Sequence, residues 1–121
     1  MVPAVAHLTV AADDADHDEV WRRQLAGLVE SGLKTEWRQR AYTSEQVNQI
    51  VARLRQIPRE DYASKLKVAG FTATPYHPPE DVELEQSCST CMYFERHREF
   101  CNLPELALPV RPEWSCVLWR I

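Results

Sequence analysis

The sequence predicts a mainly α protein in which a small N-terminal helical unit of about three helices is joined to an irregular, cysteine-rich C-terminal segment. Three observations lead there. Apolar residues recur at spacings of three and four between residues 18 and 70, prolines interrupt that pattern from residue 71, and all four cysteines fall within the last 34 of 121 positions.

The opening "MVPAVAHLTVAADDADH" is apolar for about ten residues and then turns acidic. It lacks the basic start of an export signal and is too short to cross a bilayer. Residues 1–17 are therefore expected to form an arm, or a short strand near residues 4–11, and the expected compartment is the reducing cytoplasm, with no membrane partner. From Asp18 onward Val20, Trp21, Leu25, Leu28 and Val29 make the stripe of an amphipathic helix, which Gly32 can end by taking a left-handed conformation. The stretch "LKTEWRQRAY" reads equally as a short helix or a loop.

Thr43 and Gln46 have the spacing of a capping box, and Val47, Ile50, Val51 and Leu54 form one face of the helix behind it. Pro58 ends that helix or opens the next, in which Tyr62, Leu66 and Ala69 share a side before Gly70. The helical unit spans residues 18–70. Residues 71–87, "FTATPYHPPEDVELEQS", form a linker whose prolines forbid regular helix and whose acidic run belongs in solvent.

Charge is segregated under a net value of −4. Residues 13–19 hold five acids and no base, whereas residues 20–70 hold ten Lys or Arg against five Asp or Glu. Arg53, Arg55, Arg59, Lys65 and Lys67 therefore form a basic set on two consecutive helices that could meet nucleic-acid phosphates or an acidic protein. The other reading is a solvated basic face. No G-x-S-x-G, H-E-x-x-H or phosphate-cradling glycine loop occurs, so catalysis by the chain alone is not expected and no small-molecule substrate is indicated.

The chemistry concentrates at the C-terminus, where the spacing is Cys88-x2-Cys91-x9-Cys101-x14-Cys116. In a reducing compartment clustered cysteines are more often metal ligands than disulfides. Two inorganic guests compete: a tetrahedral zinc ion, and a four-iron four-sulfur cluster with one thiolate on each iron. Zinc sites are commonly built from two compact knuckles, and the wide Cys101–Cys116 gap counts against one. Tyr93, Phe94, Phe100, Trp114 and Trp119 crowd the ligands. A cluster needs such shielding from water and oxygen, and a lone ion does not. Ordinary buried or paired thiols are the third reading. His97 could replace a ligand and His77 could cover a cofactor, but both sit in polar loop sequence, while His7 and His17 have no partner motif.

The segment "CSTCMYF…C…PVRPEWSCVLW" resembles the cluster-binding region of high-potential iron-sulfur proteins: a C-x2-C pair followed by an aromatic, a third cysteine after a short loop, then an aromatic near a final cysteine with a Trp three residues later. The resemblance covers residues 86–121. It implies Cys88, Cys91, Cys101 and Cys116 as iron ligands, with Tyr93, Phe94, Trp114 and Trp119 lining the cluster cavity. The Cys91–Cys101 gap is shorter than is usual in those carriers, and a serine separates Trp114 from Cys116. A greasy shell around four thiolates disfavours further negative charge on a site of net charge minus two, so it favours the couple between minus one and minus two over the lower couple, and a high potential follows. With all four irons held by cysteine, no position is left for a substrate.

The expected protein is thus a small iron-sulfur accessory subunit or redox-responsive module that acts through a protein partner or larger complex. The alternatives are a DNA-binding regulator with a metal or cluster sensor, a zinc-binding interaction module, and a dedicated electron carrier.

Overall fold

The computed structural model describes residues 3–120, with side chains described from Asp16 onward. Three helices come first: α1 (Pro3–Glu30), α2 (Ser44–Arg55) and α3 (Tyr62–Val68). The expected arm or strand over residues 1–17 is corrected, because from Pro3 that stretch is the first half of α1. Five alanines between residues 4 and 15, the best helix formers, outweigh a short apolar run that by periodicity alone reads as either element.

Gly32 follows α1 at φ +88°, in the left-handed region expected of a helix stop. Residues 34–43 then run as a loop that returns to the core, where Ala41 donates its N–H to the Val117 carbonyl at 3.0 Å. At α2 the capping box is complete: the Gln46 N–H donates to the Thr43 hydroxyl at 3.1 Å, and the Gln46 side chain accepts from the Thr43 N–H at 3.1 Å. Asp61 caps α3 through the Ser64 N–H at 3.2 Å.

The C-terminal segment is not merely irregular. It holds a 3-10 turn (Cys88–Thr90) and a three-stranded antiparallel sheet in the order β1 (Phe94–Glu95), β2 (Phe100–Cys101) and β3 (Leu108–Pro109). Two-residue strands are too short to show alternation in sequence, which is why the sheet was not expected.

The helical unit and the tail share one core. Leu25, Ala26 and Val29 of α1, Ile50 and Leu54 of α2, and Leu66 and Val68 of α3 belong to the same buried cluster as Leu106, Leu108, Val110, Trp114, Val117 and Leu118. The linker is anchored at both ends. Phe71 is buried, Thr72 bridges Ser115, and Tyr76 bridges Gln86, while the acidic stretch Asp81–Glu83 stays exposed.

Cationic side chains bind the tail through its backbone. Buried Arg22 donates from Nε to the Val110 carbonyl at 3.0 Å and from Nη2 to the carbonyls of Arg98 and Glu99, each at 2.9 Å. Buried Lys65 donates to the Leu106 carbonyl at 2.9 Å, and Arg120 reaches back to the Ala41 carbonyl at 2.7 Å. Buried Asp18 takes Arg98 as a two-pronged partner at 2.6 and 3.1 Å. The bonds to Val110, Leu106 and Asp18 give partners to buried residues of the seam, while the Glu99 carbonyl also accepts the Val110 N–H at 3.0 Å. Among the described residues, no helix is long and apolar enough to cross a membrane.

Gly70 fixes where the tail crosses the helices. It has φ +65°, and a Cβ there would collide with the Trp37 carbonyl oxygen and lie 2.8 Å from Val117 Cγ1. Gly70→Ala is therefore expected to cost about 2 kcal/mol or more. Urea unfolding would register this as a lower midpoint, and an unchanged midpoint would contradict the crossing described.

Candidate functional site

The C-x2-C pair forms around a single turn. In a 3-10 helix, three residues per turn bring positions i and i+3 to the same side, so Cys88–Thr90 projects Cys88 and Cys91 together. The Cys91 N–H donates to the Cys88 carbonyl at 3.1 Å, and the Ser87 N–H donates to the Thr90 hydroxyl at 3.1 Å. Three further bonds pin this turn to the end of the chain: Cys88 N–H to the Trp114 carbonyl at 2.6 Å, Ser89 N–H to Pro112 at 3.0 Å and Met92 N–H to Arg120 at 2.7 Å. The Trp119 indole N–H closes the set on the Thr90 hydroxyl at 3.0 Å. Cys116 lies within the pinned segment, so the same bonds deliver the fourth thiol.

Cys101 arrives on β2. All four thiols line one cavity of about 300 Å³, counting its open mouth, and its other walls are Phe71, Tyr93, Phe94, Val110 and Trp119. The four cysteines are free. Among the described residues, no group of three or more His, Cys, Asp or Glu side chains is gathered closely enough to hold a metal ion. A zinc ion with bonds of about 2.3 Å to sulfur needs its thiolates drawn to a point. These thiols instead stand around a space.

Of the aromatic residues expected at the cavity, Tyr93, Phe94 and Trp119 line it, but Phe100 and Trp114 do not. Successive residues of a strand point to opposite faces, so Cys101 facing the cavity turns Phe100 away, toward the Arg98 guanidinium 3.7 Å from its ring centroid. Phe94 pairs directly with Cys101 in the β1–β2 register and shares its face. Trp114 is fully buried one layer behind, edge-on to Phe71 with ring centroids 6.3 Å apart. Phe71 and Val110 are walls that sequence reasoning missed. Phe71 sits 17 positions before Cys88 and had no signal beyond being an aromatic residue after a helix-ending glycine.

The basic set, on α2, α3 and the turn between them that carries Arg59, disperses. Lys65 is 3% exposed, and its ammonium is engaged by the carbonyls of Arg59 and Leu106, so it cannot meet a phosphate. Arg53 pairs with Glu36 at 3.2 Å and Arg55 with Glu105 at 3.6 Å, whereas Arg59 and Lys67 are exposed. His97 and His77 are exposed, His77 lying 3.1 Å from the Val82 carbonyl, and His17 accepts the Trp21 indole N–H at 2.9 Å. The side chain of His7 lies outside those described.

Burial sets the protonation of the thiols. It pushes Cys101 and Cys116 up to about 12, and Cys88 well above its ordinary value, with the neighbouring thiols adding to the rise. The Leu103 N–H on Cys101 and the Leu118 N–H on Cys116 work the other way by stabilising the thiolate. A guest that requires thiolates must therefore displace protons as it enters. The chain matches no protein-family model, no curated protein and no solved structure.

The raised thiols make a prediction for the metal-free, reduced protein. Unfolded cysteine titrates near 8.5, so the folded state holds these protons more tightly. That stabilisation is fully present below about pH 8.5 and is lost as pH rises toward about 12. Urea midpoints should fall steadily from pH 8 to 11, and less steeply in Cys116→Ala. A flat profile in both proteins would contradict the burial described.

Proposed function

We propose that this chain is a small iron-sulfur protein that holds a four-iron four-sulfur cluster through Cys88, Cys91, Cys101 and Cys116. It works in the cytoplasm as an accessory subunit or redox-responsive module of a larger protein assembly. One observation carries the reading: four thiols from separate parts of the tail line a single cavity walled by Phe71, Tyr93, Phe94, Val110 and Trp119. Soft thiolates that line an apolar cavity without being drawn to a point suit a cluster better than zinc. The resemblance to high-potential iron-sulfur proteins across residues 86–121 points the same way.

Such a cluster, when bound, supplies reversible one-electron chemistry. The rest belongs to the chain. Buried Phe71 and Val110, with Phe94, keep water off the thiolates, and the amides of Leu103 and Leu118 direct N–H groups at two of the sulfurs. Together these features disfavour added negative charge less than a bare apolar shell would, and both N–H contacts move the potential upward. Four cysteine ligands leave no position for a substrate, which favours electron transfer or sensing over turnover.

Purification without air, followed by an absorption spectrum and iron, sulfide and zinc analysis, tests this. The expected preparation is brown, with about four irons and four sulfides per chain. A colourless, folded preparation lacking sulfide would overturn it. Cys116→Ser should lose most of the bound iron together with the order of residues 112–120, and full metal retention would remove Cys116 from the ligand set.

A further inference from the structure

Arg38 and Arg40 stand on the loop between α1 and α2 and face two adjoining clefts, of about 560 and 840 Å³ counting the space open to solvent. Both clefts share Arg38, Arg40 and Tyr76. One adds Thr72 and Thr74, and the other adds Tyr42, a residue 59% exposed. Neither is lined by an Asp or Glu. Among the described residues, neither arginine has a carboxylate partner, although every other arginine of the helical unit except Arg59 has one.

Arg40 is held rather than free to swing. One of its terminal nitrogens donates to the Cys116 carbonyl, and its guanidinium lies 3.9 Å from the Tyr76 ring centroid. A fixed, partly buried guanidinium with a second one lining the same clefts, and no carboxylate among the residues that line them, is an arrangement that an anion completes. The Gln46 N–H of α2 is taken by the Thr43 hydroxyl and the N–H groups of Tyr42 and Thr43 by the Gln46 side chain, so the arginine side chains carry the site.

We propose that the Arg38–Arg40 groove binds a phosphate group, as inorganic phosphate or as the headgroup of a small phosphomonoester. A carboxylate is satisfied by one guanidinium fork, whereas a phosphate dianion offers three terminal oxygens that two forks can share. The hydroxyls of Tyr42, Tyr76 and Thr74 add neutral donors, while Thr72 gives its proton to the Thr74 carbonyl at 2.9 Å. Val117 lines the groove while Cys116, the preceding residue, lines the thiol cavity. An anion there sits on the outer side of the segment whose inner side carries a thiol, and it offsets part of the Arg40 field at that sulfur. The groove is independent of the iron-sulfur reading, since it needs only the fold and the two arginines.

Calorimetric titration of the whole chain with inorganic phosphate, and separately with a nucleoside monophosphate, tests the site at constant ionic strength in chloride. Saturable one-site binding of either is expected, and the tighter of the two names the source of the phosphate. Arg38→Gln should weaken that binding about tenfold or more while leaving the unfolding midpoint unchanged, because Arg38 is exposed and makes no bond in the fold. Failure of both anions to saturate, or equal binding by Arg38→Gln, overturns the proposal. Either result leaves the iron and sulfide analysis untouched, so the two ideas fail separately.

Discussion

The structure depends on one constraint: a tail with almost no regular secondary structure must bring four sulfur atoms to the same apolar space. Three strands of two residues each cannot do this unaided. The tail is held from outside instead. Its apolar residues enter the core of the helical unit, and Arg22, Arg40 and Lys65 grip its carbonyls from three different places in that unit. Removal of Arg22 or Lys65 takes the side-chain donor from the Val110 or Leu106 carbonyl, which costs more than the modest net worth of a single hydrogen bond, whereas the Cys116 carbonyl keeps the Trp119 N–H at 3.3 Å.

The same constraint explains the order of the chain. The helices come first and provide a surface; the linker brings Phe71 against the thiols and then carries its acids through solvent. The 3-10 turn sets two sulfurs and the short sheet sets the third. The last segment closes the ring by bonding back to that turn and, through Ala41, to the α1–α2 loop. The proposed function rests on that closure, since a cavity with four thiols and aromatic walls is where a guest that cross-links the tail and exchanges electrons would sit.

Features written in local sequence were legible. The Thr43–Gln46 box, the stop at Gly32 and the apolar face of Ile50 and Leu54 each depend on residues within one or two helical turns of each other. The C-x2-C pair was legible as a convergent unit for the same reason. What could not be read depends on partners far along the chain. Phe71 reaches the cavity through tertiary packing, and Lys65 looked like a surface cation until Leu106 claimed it from 41 positions away. Phe100 and Phe94 are alike in composition and differ only in strand face, which requires the register. The helix in residues 3–17 was missed for a local reason: alternative weightings of alanine content and apolar run length give opposite answers there.

Iron K-edge X-ray absorption on the protein isolated without air tests the central claim most directly, because it reports the neighbours of the metal and not merely its presence. The account predicts a nearest shell of sulfur alone and a second shell of iron around each iron. Nitrogen or oxygen in the nearest shell, or isolated metal ions with no iron neighbour, would contradict it.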